Sequence, residues 1–156
     1  MGLDMYLSGK RYMSKVFRED DEPKMNAIAA LFPELKDRKG RWGDSSPVKE
    51  VSIDVGYWRK ANAIHDWFVR EVQEGEDNCG YYYVSREQLQ ELKAVCEEVL
   101  ADRSKARELL PPAAGFFFGS TEVDGYYFQD LEQTVKIIDE CLTLPEQWDF
   151  EYHSSW

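Results

Sequence analysis

Hydrophobic and polar residues alternate in four parts of the chain, and this pattern predicts strands. Near the start, Leu3, Met5 and Leu7 fall on one side of an extended segment and the residues between them fall on the other. This two-residue period is typical of a half-buried strand. We expect the first two strands to pair and the last to lie at the edge of the sheet. The predicted strands are residues 2–17, Val48–Val55, a short aromatic strand that follows a tight connection within Asn78–Val84, and residues 147–156.

Hydrophobic residues that recur every three or four positions predict helices. The most regular of these begins at Ser85, which can form a capping box with Gln88. The predicted helices are Pro23–Ala30, Gly56–Val72, Ser85–Asp102 and Phe128–Leu142. The apolar face of the second is formed by Tyr57, Ala61, Ile64, Phe68 and Val72. Its polar surface carries Arg59, Asn62, Asp66 and Arg70.

The segments between these elements are acidic, basic or rich in glycine. Residues 19–22 are four consecutive acids that lack the spacing of a calcium loop, so we expect a solvated turn. Residues 33–47 form a long surface loop in which Trp42 stands beside several bases. Residues 115–120 hold three phenylalanines between two glycines, which favours a short strand or a buried ring cluster. The bases of the loop are Lys36, Arg38, Lys39 and Arg41.

Strands near the start, middle and end of the chain, with helices between them, predict an α+β fold. We expect a small, mainly antiparallel sheet that packs against about four helices. The chain has 156 residues, and a domain of this size buries roughly 70% of the surface of its unfolded chain. No repeat or linker divides the sequence, so we expect one domain over residues 1–156.

The composition is acidic and aromatic. There are 30 Asp and Glu against 19 Lys and Arg, which gives a net charge of −11. This charge disfavours direct contact with nucleic acid and favours solubility or a basic partner. Aromatic residues make up 14% of the chain, so we expect some rings to reach the surface.

The cysteines and the N-terminal segment indicate a cytoplasmic protein. Cys79, Cys96 and Cys141 are widely spaced and include no pair suited to zinc or redox chemistry, so we interpret them as reduced thiols. The sequence has no run of 18 apolar residues and no secretory leader, so we expect no membrane association. Gly2 could begin a myristoylation signal, but that signal needs Ser or Thr at position 6 and this chain has Tyr6, so we expect no myristoylation.

Four segments resemble small acidic proteins encoded by bacteriophages and prophages. They are MGLDMYL, EVSIDVGYWRKANAIHDWFV, CGYYYVSREQL and GFFFGSTEVDGYYFQDLE, which together extend over most of the chain. The resemblance implies a phage accessory protein that acts in the cytoplasm of a bacterial host. It implies no activity and no catalytic residue.

The sequence contains no complete catalytic set, so a binding protein is favoured over an enzyme. His65 and Asp66 form an HD pair, but a metal-dependent phosphohydrolase needs further histidines, and only His153 remains. A nucleophilic pair of Cys79 and His65 has no identifiable orienting group or oxyanion hole. We therefore predict no catalytic residue, cofactor or metal site, and we treat the phosphohydrolase as the least favoured alternative.

Two binding functions remain. In the favoured one, an acidic surface on two neighbouring helices and their turn imitates phosphates, binds a basic host protein such as a defence nuclease, and blocks its nucleic-acid site. This surface consists of Glu71, Glu74, Glu76, Asp77, Glu87, Glu91, Glu97 and Glu98. The alternative is a pocket that sequesters a nucleotide-like signal, with rings stacked on the base and an arginine on the phosphate. Its residues are Tyr57, Arg59, Asn62, His65, Asp66, Tyr82, Phe117 and Ser120.

Overall fold

The computed structural model describes residues 2–40, 46–115 and 117–156, so Arg41, Trp42 and Phe116 of the predicted loops lie outside the described residues. The α+β class is confirmed, with four strands and five α-helices in the described part of the chain. The elements are β1 (Asp4–Tyr12), α1 (Asp21–Ala30), β2 (Glu50–Arg59), α2 (Asn62–Glu71), β3 (Tyr81–Val84), α3 (Arg86–Ala101), α4 (Ala106–Leu109), α5 (Gly125–Thr143) and β4 (Asp149–Ser155).

The strands form one antiparallel sheet in the order β2-β1-β4-β3. β1 and β2 are neighbours, as predicted. β4 pairs with β3 in a register that sets Tyr152 opposite Tyr82. The prediction that the tail forms an edge strand was wrong, because β4 lies between β1 and β3. Its Phe150 and Tyr152 are accordingly among the most buried large side chains.

The chain divides into two compact units, and the single domain expected over residues 1–156 stays a prediction. The larger unit comprises Met1–Gly9 and Ile53–Trp156. Its core joins one face of the sheet to α2, α3 and α5. The indole N–H of Trp58 on β2 donates to the hydroxyl of Thr134 on α5 over 2.9 Å, which satisfies both groups inside this core. The largest core side chains are Leu3, Met5, Leu7, Trp58, Ile64, Phe68, Leu89, Leu92, Leu110, Leu131, Phe150 and Tyr152.

The smaller unit comprises Lys10–Ser52 and contains α1. Asp21, expected in a solvated acidic turn, is instead fully buried. Its carboxylate accepts hydrogen bonds from Nη2 of Arg11 over 2.7 Å and from the backbone N–H of Ser14 over 3.2 Å. The prediction failed at this residue because its partner lies in β1, outside the acidic run.

The prediction of one helix from Gly56 to Val72 was wrong in its first part. β2 continues to Arg59, and α2 begins at Asn62. Tyr57, expected on the apolar helix face, is 44% exposed, whereas Trp58 is buried. These residues stay in the strand because β2 pairs with β1 in the sheet. A Cβ at Gly56 would lie only 2.7 Å from Cγ2 of Ile137, so β2 also passes close beneath α5.

The other helix predictions are confirmed in position. The capping box of α3 is present, since Ser85 Oγ accepts from the Gln88 N–H and Gln88 Oε1 accepts from the Ser85 N–H, both over 3.0 Å. α5 begins three residues earlier than predicted because Asp124 caps it. None of the described helices is both long enough and apolar enough to span a membrane.

Candidate functional site

Five aromatic side chains stand side by side on the face of the sheet opposite the core, and we call them the tyrosine face. The ring centroid of Tyr6 on β1 lies 5.4 Å from that of Tyr57 on β2 and 5.9 Å from that of His153 on β4. The ring of Tyr81 on β3 stacks on His153 at 4.2 Å, with 9° between the planes. The contacts therefore cross all four strands. The tyrosine face consists of Tyr6, Tyr57, Tyr81, Tyr83 and His153.

The tyrosine face is exposed and carries carboxylates. Its tyrosines are between 39% and 69% exposed, and contiguous exposed rings of this kind mark interaction surfaces. Asp4 accepts a hydrogen bond from the hydroxyl of Tyr57, which is the main reason that the pKa of Tyr57 is raised. Glu151 lies directly opposite Tyr83 in the β3–β4 register. Asp4 and Glu151 therefore bring carboxylates to this face, and the charge of Arg59 also acts on Tyr57.

A second candidate site is a cavity of about 290 Å³ between the end of β2, the start of α2, residues 119–124 and the first turns of α5. Three of the eight predicted ligand residues line it, namely Arg59, Asn62 and Ser120. The side chain of Asn62 supports the wall. Its Nδ2 donates to the carbonyls of Phe118 and Ser120 over 3.2 and 2.8 Å, and its Oδ1 accepts from the Ala113 N–H over 3.1 Å.

The other five predicted ligand residues lie outside this cavity lining. They are Tyr57, His65, Asp66, Tyr82 and Phe117. Asp66 forms an ion pair with Arg70 one turn along α2, at 2.9 Å. The hydroxyl of Tyr82 donates to Asn78 over 2.9 Å. Of the predicted ligand set, the structure therefore brings Arg59, Asn62 and Ser120 together at one cavity.

His65 is buried and has a partner on each ring nitrogen. Nδ1 lies 2.7 Å from the hydroxyl of Tyr152, and Nε2 lies 3.1 Å from Oδ2 of Asp77. The indole N–H of Trp156 donates to the other oxygen of Asp77 over 3.0 Å. His65 thus links α2 to β4 and to the turn after α2, and neither nitrogen is left to serve Cys79 as a base.

The remaining thiols and carboxylates do not form a reactive centre within the described residues. Burial raises the pKa of Cys96 to about 12 and that of Cys141 to about 11, so both thiols stay protonated and unreactive. Across residues 2–40, 46–115 and 117–156, no three His, Cys, Asp or Glu side chains come together as potential metal ligands.

The predicted acidic surface is exposed, except that Asp77 is half-buried between His65 and Trp156. Several of its carboxylates have local counter-ions. Lys93 lies 3.6 Å from Glu97, and Lys105 lies 2.6 Å from Glu98. The exposed members are Glu71, Glu74, Glu76, Glu87, Glu91, Glu97 and Glu98.

Sequence reasoning missed Tyr6 and His153 as site residues. Alternation along each strand was the available signal, because it predicts which side chains share a face of that strand. It does not predict which strands lie next to each other, and the ring contacts depend on that order. No family model matches the sequence, and neither the curated proteins nor the solved structures gave a significant match. The function is therefore inferred from the residues of this protein alone.

Proposed function

We propose that this is a binding protein whose tyrosine face takes up a basic, arginine-containing segment of another protein. The observation that carries the proposal is the continuous array of exposed rings with Asp4 and Glu151 among them. A guanidinium group stacks on aromatic rings and also pairs with carboxylates. Rings and carboxylates side by side therefore suit arginine better than they suit a purely apolar partner.

The charge of the whole chain supports a basic partner. A net charge of −11 speeds the approach of a cationic protein and slows that of a polyanion. Single-stranded nucleic acid could stack its bases on the same rings. Its phosphates, however, would meet Asp4 and Glu151, so we favour the basic protein.

The partner that we infer is a basic host protein that itself binds nucleic acid, such as a defence nuclease in the bacterial cytoplasm. A nucleic-acid site is rich in exposed Arg and Lys, and covering it would block access of the nucleic acid. This role fits the phage accessory function that the sequence resemblance implies. The helix carboxylates, several of which already have counter-ions, would contribute long-range attraction more than direct contact.

Peptide binding tests the proposal. Fluorescence anisotropy would compare labelled nona-arginine, nona-lysine and deca-deoxythymidine at 50 and 150 mM salt. The tyrosine-face variant is Tyr81→Ala/Tyr83→Ala, which truncates two exposed rings on an edge strand. The control is Glu97→Lys/Glu98→Lys on α3. An exposed ring contributes about 0.5–1 kcal/mol to cation binding, so the tyrosine-face variant should weaken nona-arginine binding about 5- to 30-fold.

The outcomes separate the alternatives. The proposal expects nona-arginine to bind more tightly than nona-lysine, and the control to change mainly the salt dependence. Equal binding of the two peptides that only the α3 reversal abolishes would assign binding to the acidic helices and contradict the tyrosine face. Tighter binding of the oligonucleotide would replace the basic partner by nucleic acid. Binding of none of the three probes would also refute the proposal.

A further inference from the structure

The cavity at the junction of β2 and α2 carries charged groups of both signs. Arg59 and Lys60 contribute to it from the end of β2, and Asp124 and Asp130 contribute from the beginning of α5. Asp124 is already engaged, because its carboxylate accepts from the backbone N–H groups of Tyr126 and Tyr127 over 3.0 and 3.1 Å. Glu122 also lines the cavity and pairs with Arg107 at 3.9 Å, so Asp130 is the lining carboxylate that has no partner among the described residues.

Asp130 is partly buried without a counter-ion. Its side chain has no hydrogen-bond or ion-pair partner among the described residues. Burial, assisted by the nearby charge of Asp124, raises the pKa of Asp130 to about 6. A buried carboxylate is stabilised by a cation at hydrogen-bonding distance. A ligand with an ammonium group would therefore supply a counter-ion for Asp130.

Arg59 and Lys60 form the cationic side of the cavity, and the charge of Arg59 also acts on the hydroxyl of Tyr57. Neither Arg59 nor Lys60 makes an ion pair among the described residues. The backbone of Lys60 has φ of 60°, and Gly119 lies against it with φ of 96°. A Cβ at Gly119 would lie 3.2 Å from Cβ of Lys60, which is a tight contact, and the positive φ of Gly119 disfavours any other residue there. With Asn62 fixing residues 113, 118 and 120, the walls are preformed.

We propose that this cavity binds a small zwitterion of the α-amino acid type, with its ammonium group at Asp130 and its carboxylate at Arg59 and Lys60. The volume of about 290 Å³ is near the lower end of the range for ligand sites, which suits a small molecule. The carboxylates of Glu122, Asp124 and Asp130 in the lining disfavour a polyphosphate such as a nucleotide. This site is separate from the tyrosine face, so its test is independent of the proposed partner.

Titration followed by ¹H–¹⁵N NMR tests the site. The probes are the standard amino acids added one at a time, acetate and methylammonium as singly charged fragments, and ATP as a nucleotide. We expect at least one amino acid to shift the signals of residues 59–64 and 119–131 saturably. Both fragments should bind at least tenfold more weakly. Asp130→Asn and Arg59→Gln should each weaken binding at least tenfold, whereas Glu132→Gln, an exposed carboxylate on the same helix, should leave it unchanged.

Three results would overturn the inference. The first is that no amino acid shifts these signals saturably. The second is that acetate or ATP binds as tightly as the best amino acid, which would make the site a plain anion site. The third is that Asp130→Asn and Arg59→Gln bind as the unaltered protein does, or that Glu132→Gln weakens binding equally.

Discussion

The hydroxyl of Tyr152 lies 2.7 Å from Nδ1 of His65, and this hydrogen bond joins a central strand of the sheet to α2. Both side chains are buried, and the ring of Tyr152 also stacks on Phe68 at 3.9 Å. Because water cannot replace either partner there, loss of one leaves the other unsatisfied. His65 therefore has a clear structural role on α2.

We expect Tyr152→Phe to lower the free energy of unfolding by about 1–3 kcal/mol, since His65 then loses a buried partner. Urea unfolding monitored by tryptophan fluorescence measures this loss. Tyr82→Phe is the matched control, because Tyr82 lies opposite Tyr152 in the sheet and its hydroxyl bonds to the exposed Asn78. The control should change stability by less than about 0.5 kcal/mol. Equal losses in both variants would contradict a special contribution from the His65 contact.

Replacement of Asp21 should destabilise the unit formed by Lys10–Ser52. Asp21→Ala leaves the partly exposed Arg11 without its carboxylate, and loss of a hydrogen bond between charged groups costs about 1.5–3 kcal/mol. We expect limited proteolysis to cut residues 10–52 much faster in this variant than in the unaltered protein. Glu19→Ala, an exposed acid of the same acidic run, is the control and should digest at the original rate. Unchanged digestion of Asp21→Ala would show that the ion pair does not stabilise this unit.

Asp130 should make stability depend on pH between about 4 and 6. Its folded-state pKa of about 6 is above the ordinary 3.8, so the folded state binds more protons than the unfolded state in this window. Stability from this group is present at low pH and falls as pH rises through the window, by at most about 3 kcal/mol. Unfolding at pH 4, 5, 6 and 7 should show Asp130→Asn gaining stability relative to the unaltered protein. A difference that stays constant with pH, as expected for Glu132→Gln, would exclude the raised pKa.

Thiol reactivity should distinguish Cys79 from the two buried cysteines. Burial raises the pKa of Cys96 and of Cys141 and also blocks reagents, whereas Cys79 is partly exposed. A colorimetric thiol assay should detect one reactive cysteine in the folded protein and three after denaturation. Cys79→Ser should abolish the reaction of the folded protein. Rapid reaction that persists in this variant would show that the core around α3 or α5 opens.

Local sequence signals were sufficient to predict where most helices and strands lie along the chain. The Ser85 capping box and the apolar stripe of α3 are contained within a few residues, so the sequence alone defines them. The boundary between β2 and α2 failed because Tyr57, Ala61 and Ile64 fit a helical period, although Val55 and Tyr57 also continue the strand period. Gly56 also passes close to Ile137 of α5, a residue far along the chain, and no local pattern reveals this contact.

Non-local pairing explains what remained hidden. The tyrosine face depends on the order of strands, and alternation within Tyr81–Val84 cannot show that Tyr81 will stack on His153. The cavity likewise needs the loop at Gly119 to approach Lys60. For the same reason, Arg59, Asn62 and Ser120 of the predicted ligand set line the cavity, whereas the predicted rings lie outside its lining.

The central position of β4 has a consequence for biosynthesis. β1 precedes every other element in the chain, whereas β4, its neighbour in the finished sheet, follows all of them. A nascent chain that has not yet exposed β4 therefore presents one unpaired edge of β1 and leaves β3 without a partner. Such pairing between distant segments closes slowly, and exposed strand edges associate with other chains. The interval before β4 emerges is thus the period in which this protein most needs protection from aggregation.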